Sequence, residues 1–80
     1  MTETKIDTRT FQEIYKSLNE VTQFELREKI KSLSYCSEPA IRNWRTGHRR
    51  PEPVHQMNIV KALRSVAGIV TTPTILFPKN

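Results

Sequence analysis

Four arginines lie in the stretch AIRNWRTGHRRPEP, residues 40 to 53, and the only acid among them is Glu52. A guanidinium forks onto phosphate or onto the guanine edge, an asparagine amide pairs with adenine, and a glutamate accepts from the cytosine amine. Arg42, Asn43 and the preceding Glu38 are therefore candidate readers of bases. His48, Arg49 and Arg50, just past the glycine, suit the sequence-independent work of meeting phosphates.

Other chemistry finds little support. A single cysteine, Cys36, excludes an internal disulfide and an all-cysteine zinc site, and reads as a small buried filler. His48 and His55 stand seven residues apart without a nearby cysteine pair, which disfavours zinc. The chain has no glycine-rich phosphate loop and no Ser/His/Asp grouping, so an enzyme, a cofactor and a small-molecule substrate are not expected. Trp44, at helical spacing from Ile41, is expected in the core rather than stacked on a base. Tyr35 divides evenly between packing and a phosphate contact. Glu38 also suits the positive end of a helix, where a carboxylate is favoured.

The charge distribution points the same way. The 80 residues carry 13 Lys and Arg against 8 Asp and Glu, a net charge of +5. Residues 1–34 hold six basic and six acidic side chains, so the whole excess lies in residues 35–80. Such asymmetry favours a polyanionic partner, nucleic acid before an anionic membrane. No run approaches the roughly 20 apolar residues of a membrane span, and the N-terminus lacks the apolar core of a signal peptide. A soluble cytoplasmic protein without membrane contact is expected.

Four helices should position these groups. Phe11, Ile14, Tyr15 and Leu18 make one apolar stripe, and Thr10 with Glu13 has capping-box spacing, so the first helix starts near Thr10 and stops near Asn19. The second is expected to have Thr22 as its N-cap, Glu25 at N3 and a staple between Val21 and Leu26, with Ile30 and Leu33 continuing the stripe. The third begins after the Ser37 cap with Pro39 in its first turn and ends before Gly47. The fourth runs from about Val54 to Ala67, with Val60, Leu63 and Ala67 as its stripe, Ile59 and Val66 widening it, and Gly68 as its stop. Residues 1–9 read as a flexible N-terminus, 10–68 as the domain, and 69–80 as an extended tail. A short strand around Thr74–Phe77 is the β alternative there, and it must dock on the body or pair with a second chain. The fold class is all-α: a small four-helix domain with a short extended, or β, C-terminal tail.

On the third helix, at about 100° per residue, Ala40, Ile41 and Trp44 share one side. Arg42, Pro39 and Thr46 point away, flanked by Glu38, Asn43 and Arg45. The segment is too short to be stable alone, so its neighbours must hold it.

The run SEPAIRNWRTGHRRPEP, followed by IVKAL, resembles the recognition helix, glycine stop and following helix of the phage-repressor (Cro/Xre-like, lambda-repressor-like) helix-turn-helix family. The likeness covers about residues 10–67, and its specific part is Ser37–Pro51. It implies a small helical DNA-binding domain, usually a transcriptional repressor acting as a dimer on palindromic operators. It places Glu38, Pro39, Arg42 and Asn43 at base-facing positions, and it makes Ser37 the cap of the reading helix. With Arg45, Thr46, His48, Arg49 and Arg50, Ser37 completes the candidate phosphate set. Two positions depart from the pattern: Lys31 stands where a small residue is usual, and Tyr35 where a glycine makes the turn. A tyrosine is costly in a left-handed conformation, which points to a turn of another geometry.

Two functional readings follow. The first is a sequence-specific double-stranded DNA-binding regulator, repressor-like and homodimeric, with the apolar tail Ile75–Leu76–Phe77 as its pairing element. The second is a protein-interaction adaptor or antirepressor, in which the basic loop grips an acidic partner and the tail adds a strand to it.

Overall fold

The computed structural model describes residues 5–78. It is all-α, with helices α1 (Phe11–Ser17), α2 (Glu20–Ser34), α3 (Glu38–Arg45), α4 (Pro53–Ala67) and a single turn α5 (Pro73–Leu76). Local chemistry sets most of the boundaries. The α1 capping box forms as expected, with Glu13 N–H donating to Thr10 Oγ1 at 3.3 Å and Thr10 N–H to Glu13 Oε1 at 3.0 Å. Ser37 caps α3 by accepting from Ala40 N–H at 3.4 Å, and Gly68 ends α4 in the left-handed region at φ 67°.

The start of α2 differs from expectation. Asn19, not Thr22, is the N-cap, and its Oδ1 accepts from Thr22 N–H at 2.8 Å. Asparagine is the stronger cap, so the helix gains its first turn from residues expected to precede it. Val21 then lies inside the helix, 68% exposed, and the staple to Leu26 does not form. The link from α1 is only Leu18 and Asn19. Gln23 closes it by donating to the Tyr15 and Leu18 carbonyls at 2.8 and 3.1 Å, at the end of α1 where carbonyls lack their full helical complement.

One core unites the elements. Phe11, Ile14 and Tyr15 from α1, Leu26 and Ile30 from α2, Ile41 and Trp44 from α3, and Ile59, Ala62 and Leu63 from α4 are all buried. The buried edge of α4 is thus centred on Ile59 and Leu63, with Val60 and Val66 at its margins. Asn58 Nδ2 donates to the Leu33 carbonyl (3.3 Å) and to Ser34 Oγ (2.9 Å), which fixes α4 antiparallel to α2.

The tail is not a strand. Thr72 caps α5, accepting from Ile75 N–H at 3.4 Å, and Pro73 follows in its first turn. Leu76 and Phe77 are both buried, and the Phe77 ring lies edge-on to Phe11 at 5.6 Å. A strand would turn two successive side chains to opposite faces, so packing both of them overrides the β-propensity of Thr74 and Ile75. Of the two fates open to the tail, docking on its own body is the one observed. Residues 1–4 of the expected flexible N-terminus lie outside the described residues. Ile6 pairs with Val70 in a parallel bridge, Asp7 N–H donates to the Val70 carbonyl at 2.7 Å, and Thr71 Oγ1 donates to the Asp7 carbonyl at 3.2 Å.

Candidate nucleic-acid interface

α2, the three residues Tyr35–Ser37 and α3 form a helix, a tight turn and a second helix. The turn depends on Tyr35, which adopts φ 51° and ψ 42° and is 94% exposed. The expectation of a different geometry is therefore corrected: tyrosine takes the left-handed conformation that glycine would take without strain. The Lys31 carbonyl anchors the turn from the helix side, accepting from Tyr35 N–H at 2.8 Å. Among the described residues the ring finds no cover, which removes the packing reading of Tyr35.

α3 is held from below and from one side. Ile41 is fully buried and Trp44 is 8% exposed, the latter stacked on His55 at 5.2 Å and 27°. Beside them, Glu38 receives Lys31 Nζ at 3.1 Å and Arg27 Nε at 3.5 Å, both from α2. Lys31, then Arg27, hold its carboxyl below the ordinary glutamate range. Lys31, which also pairs with Glu28, thus occupies the place of a small residue and ties the two helices electrostatically.

The candidate residues divide into two sets. Arg42, Pro39, His48 and Arg49 are exposed, and Asn43 is half-buried on the same outward side. The side chains of Arg42, His48 and Arg49 make no hydrogen bond or ion pair among the described residues. Gly47, at φ 80°, turns the chain so that Arg49 N–H donates to the Asn43 carbonyl at 3.1 Å. Asn43, Trp44, Arg49, Arg50 and His55 line a cleft of about 340 Å³.

The remaining candidates are engaged within the chain. Glu38 is committed to α2 and Ser37 to its own helix, while Thr46 Oγ1 donates to the Arg42 carbonyl at 2.8 Å and keeps its lone pairs. Arg50 donates from Nε and Nη2 to the Phe77 carbonyl at 3.2 and 2.9 Å, tying the tail to the α3–α4 loop. Arg45 turns inward: its guanidinium lies 5.0 Å above the Tyr15 ring and its Nε is sequestered. A cation over an aromatic face in a half-buried site is well held, so Arg45 is a poor phosphate ligand.

The residues that position α3 were missed in the sequence: Tyr15, Arg27 and Lys31. Tyr15 Oη accepts from Arg27 Nη1 at 2.6 Å while its ring carries Arg45, so one side chain from α1 binds a cation from each of α2 and α3. The spacing of Arg27 and Lys31 at i, i+4, one turn apart on α2, was the available signal. Burial pushes the Cys36 thiol above its ordinary value, in keeping with a filler rather than a reactive group.

Comparisons with family models, with curated proteins and with solved structures find no match for this chain.

Proposed function

We propose that the chain is a sequence-specific double-stranded DNA-binding regulator, repressor-like, with α3 as the element that enters the major groove. One observation carries this reading. The apolar side of α3 is sequestered while Arg42, His48 and Arg49 face outward without side-chain partners among the described residues. A short helix anchored on its apolar side, presenting forked donors near its start and cations past its end, has the form of a groove reader. Arg42 and Asn43 are the base readers, and Arg49 and His48 lead the phosphate contacts. The likeness of Ser37–Pro51 to the phage-repressor family supports the same assignment.

α3 is eight residues long, so one copy reads few base pairs. Useful specificity calls for two copies on half-sites one turn of DNA apart. Leu76 and Phe77 are used by the chain's own core, which removes the tail both as the pairing element expected of the regulator and as the added strand of the adaptor reading.

The test is a binding titration against duplexes selected from a random pool, at several salt concentrations. Arg42→Ala is expected to lose about 1–3 kcal/mol on the preferred site and to relax base preference there. Arg49→Ala is expected to weaken all sequences alike and to flatten the salt slope by about one. If neither change alters affinity for any duplex, the assignment is wrong.

A further inference from the structure

The start of α1, the loop after α3 and the docked tail enclose a hollow of about 310 Å³. Phe11, Trp44, Leu76 and Phe77 line its inner part, and all four are buried. Gln12, Arg49 and Arg50 form its rim, and all three are exposed. Gln12 Oε1 stands 3.6 Å from where a Cβ on Gly47 would lie, so its amide reaches across to the end of α3. Sites for small ligands have this make-up: a concave, mainly apolar and aromatic surface of about 300 Å³ or more with a few convergent polar groups.

The charge of the rim identifies the ligand. The lining holds two guanidiniums and no carboxylate. By contrast, the hollow between α2 and α4 carries Glu25 and Glu28, and the cleft beside Asn43 carries Glu52. Arg50 already spends Nε and Nη2 on the Phe77 carbonyl. Arg49 has no ion pair among the described residues, so one guanidinium fork is left to balance one negative charge. The rings of Phe11, Trp44 and Phe77 favour an apolar, aromatic body over a hydrated inorganic anion. The lining has no histidine, cysteine or carboxylate, so a ligand here is held and released unchanged.

We infer that this hollow binds a small aromatic monocarboxylic acid, its ring among Phe11, Trp44 and Phe77 and its carboxylate on Arg49. Arg49 also lines the outward cleft with Asn43, where it is proposed to meet a DNA phosphate. One guanidinium cannot serve both anions at full strength, so the acid is an effector that weakens DNA binding. That coupling rests on the DNA-binding reading; the site itself does not.

Titration of the full chain without DNA, by calorimetry and by the fluorescence of its single tryptophan, tests the site. Benzoate, phenylacetate and hydrocinnamate are the probes, and the amide of each acid and inorganic phosphate are the controls. At least one acid is expected to bind one-to-one with a Kd at or below about 1 mM, and its amide and phosphate at least about ten-fold more weakly. Arg49→Gln, which removes the fork, and Gln12→Glu, which adds a like charge to the rim, are each expected to weaken the acid at least about ten-fold. Both positions are exposed, and circular dichroism checks that the variants melt like the wild type. No acid binding below about 10 mM, an amide or phosphate bound as tightly as the acid, or folded variants that bind like the wild type would each overturn the proposal. With the selected duplex present, saturating acid is expected to weaken its binding at least about five-fold in the wild type and not in Arg49→Gln. A duplex affinity indifferent to bound acid overturns the coupling, whereas a chain that binds the acid but no duplex refutes the DNA reading alone.

Discussion

Replacing Tyr35 with glycine is expected to stabilise the fold. A non-glycine residue in the left-handed region costs about 1–2 kcal/mol from the clash of Cβ with the backbone. At φ 51° and with the side chain 94% exposed, Tyr35 bears that cost with no compensating burial. Glycine removes the clash, but it returns about 0.5–1 kcal/mol to the unfolded chain as added backbone freedom. The net gain is about 0.5–1 kcal/mol, or about 2–8 °C in the thermal midpoint of a domain this small. Urea denaturation of Tyr35→Gly and Tyr35→Ala separates strain from side-chain contact. Alanine keeps Cβ, so it should leave the midpoint nearly unmoved. A destabilised Tyr35→Gly, or an alanine variant that loses more than about 1 kcal/mol, would refute the account of the turn. A tyrosine at a strained, solvent-facing turn beside α3 has no structural return. Lower affinity for the selected duplex in the more stable glycine variant would therefore assign its phenol to the DNA backbone.

Two further outcomes follow from packing and charge. Leu76→Ala empties a site that is 2% exposed and is expected to cost about 2–4 kcal/mol in urea denaturation, a large share of the about 4–12 kcal/mol usual for 80 residues; a loss under about 0.5 kcal/mol would mean that the tail does not dock. The carboxyls of Asp7, Glu13 and Glu38 are held below their ordinary values by Arg9, by the Thr10 N–H and by Lys31 respectively. Lowered in the fold, they contribute stability above the ordinary values of 3.8 for Asp and 4.5 for Glu, and lose it as pH falls through their folded values. The denaturation midpoint should be level from about pH 7 to pH 5 and then decline, and a midpoint unchanged down to about pH 3 would contradict this.

The parts of the fold legible in the sequence are those decided within a few residues. Thr10 and Glu13 bracket one turn, Ser37 and Gly47 bracket α3, and Gly68 stops α4; each signal acts on backbone groups beside it. The start of α2 was misread because two cap candidates, Asn19 and Thr22, compete three residues apart, and only the length of the link to α1 decides between them. The tail was misread for a different reason. Its propensities favour a strand, and its conformation is set by Phe11, 66 residues earlier, which receives Phe77.

The candidate site shows the same division between near and far causes. Four arginines in 14 residues look equivalent as a string, yet two are held by distant parts of the chain. Arg45 rests on a ring from α1, and Arg50 on a carbonyl from the tail. Among the described residues, Arg42 and Arg49 have neither kind of neighbour. Arg27 and Lys31, from the charge-neutral part of the sequence, grip Glu38 and so contribute to the orientation of α3 without facing outward. Surface ion pairs of this kind add little stability, but two cations from α2 converging on the first residue of α3 restrict its angle. Restricting the angle before contact reduces the ordering cost of binding. Of the four arginines in this stretch, two are thus held within the chain and two are left outward-facing, while cations from α2 fix the helix that carries Arg42.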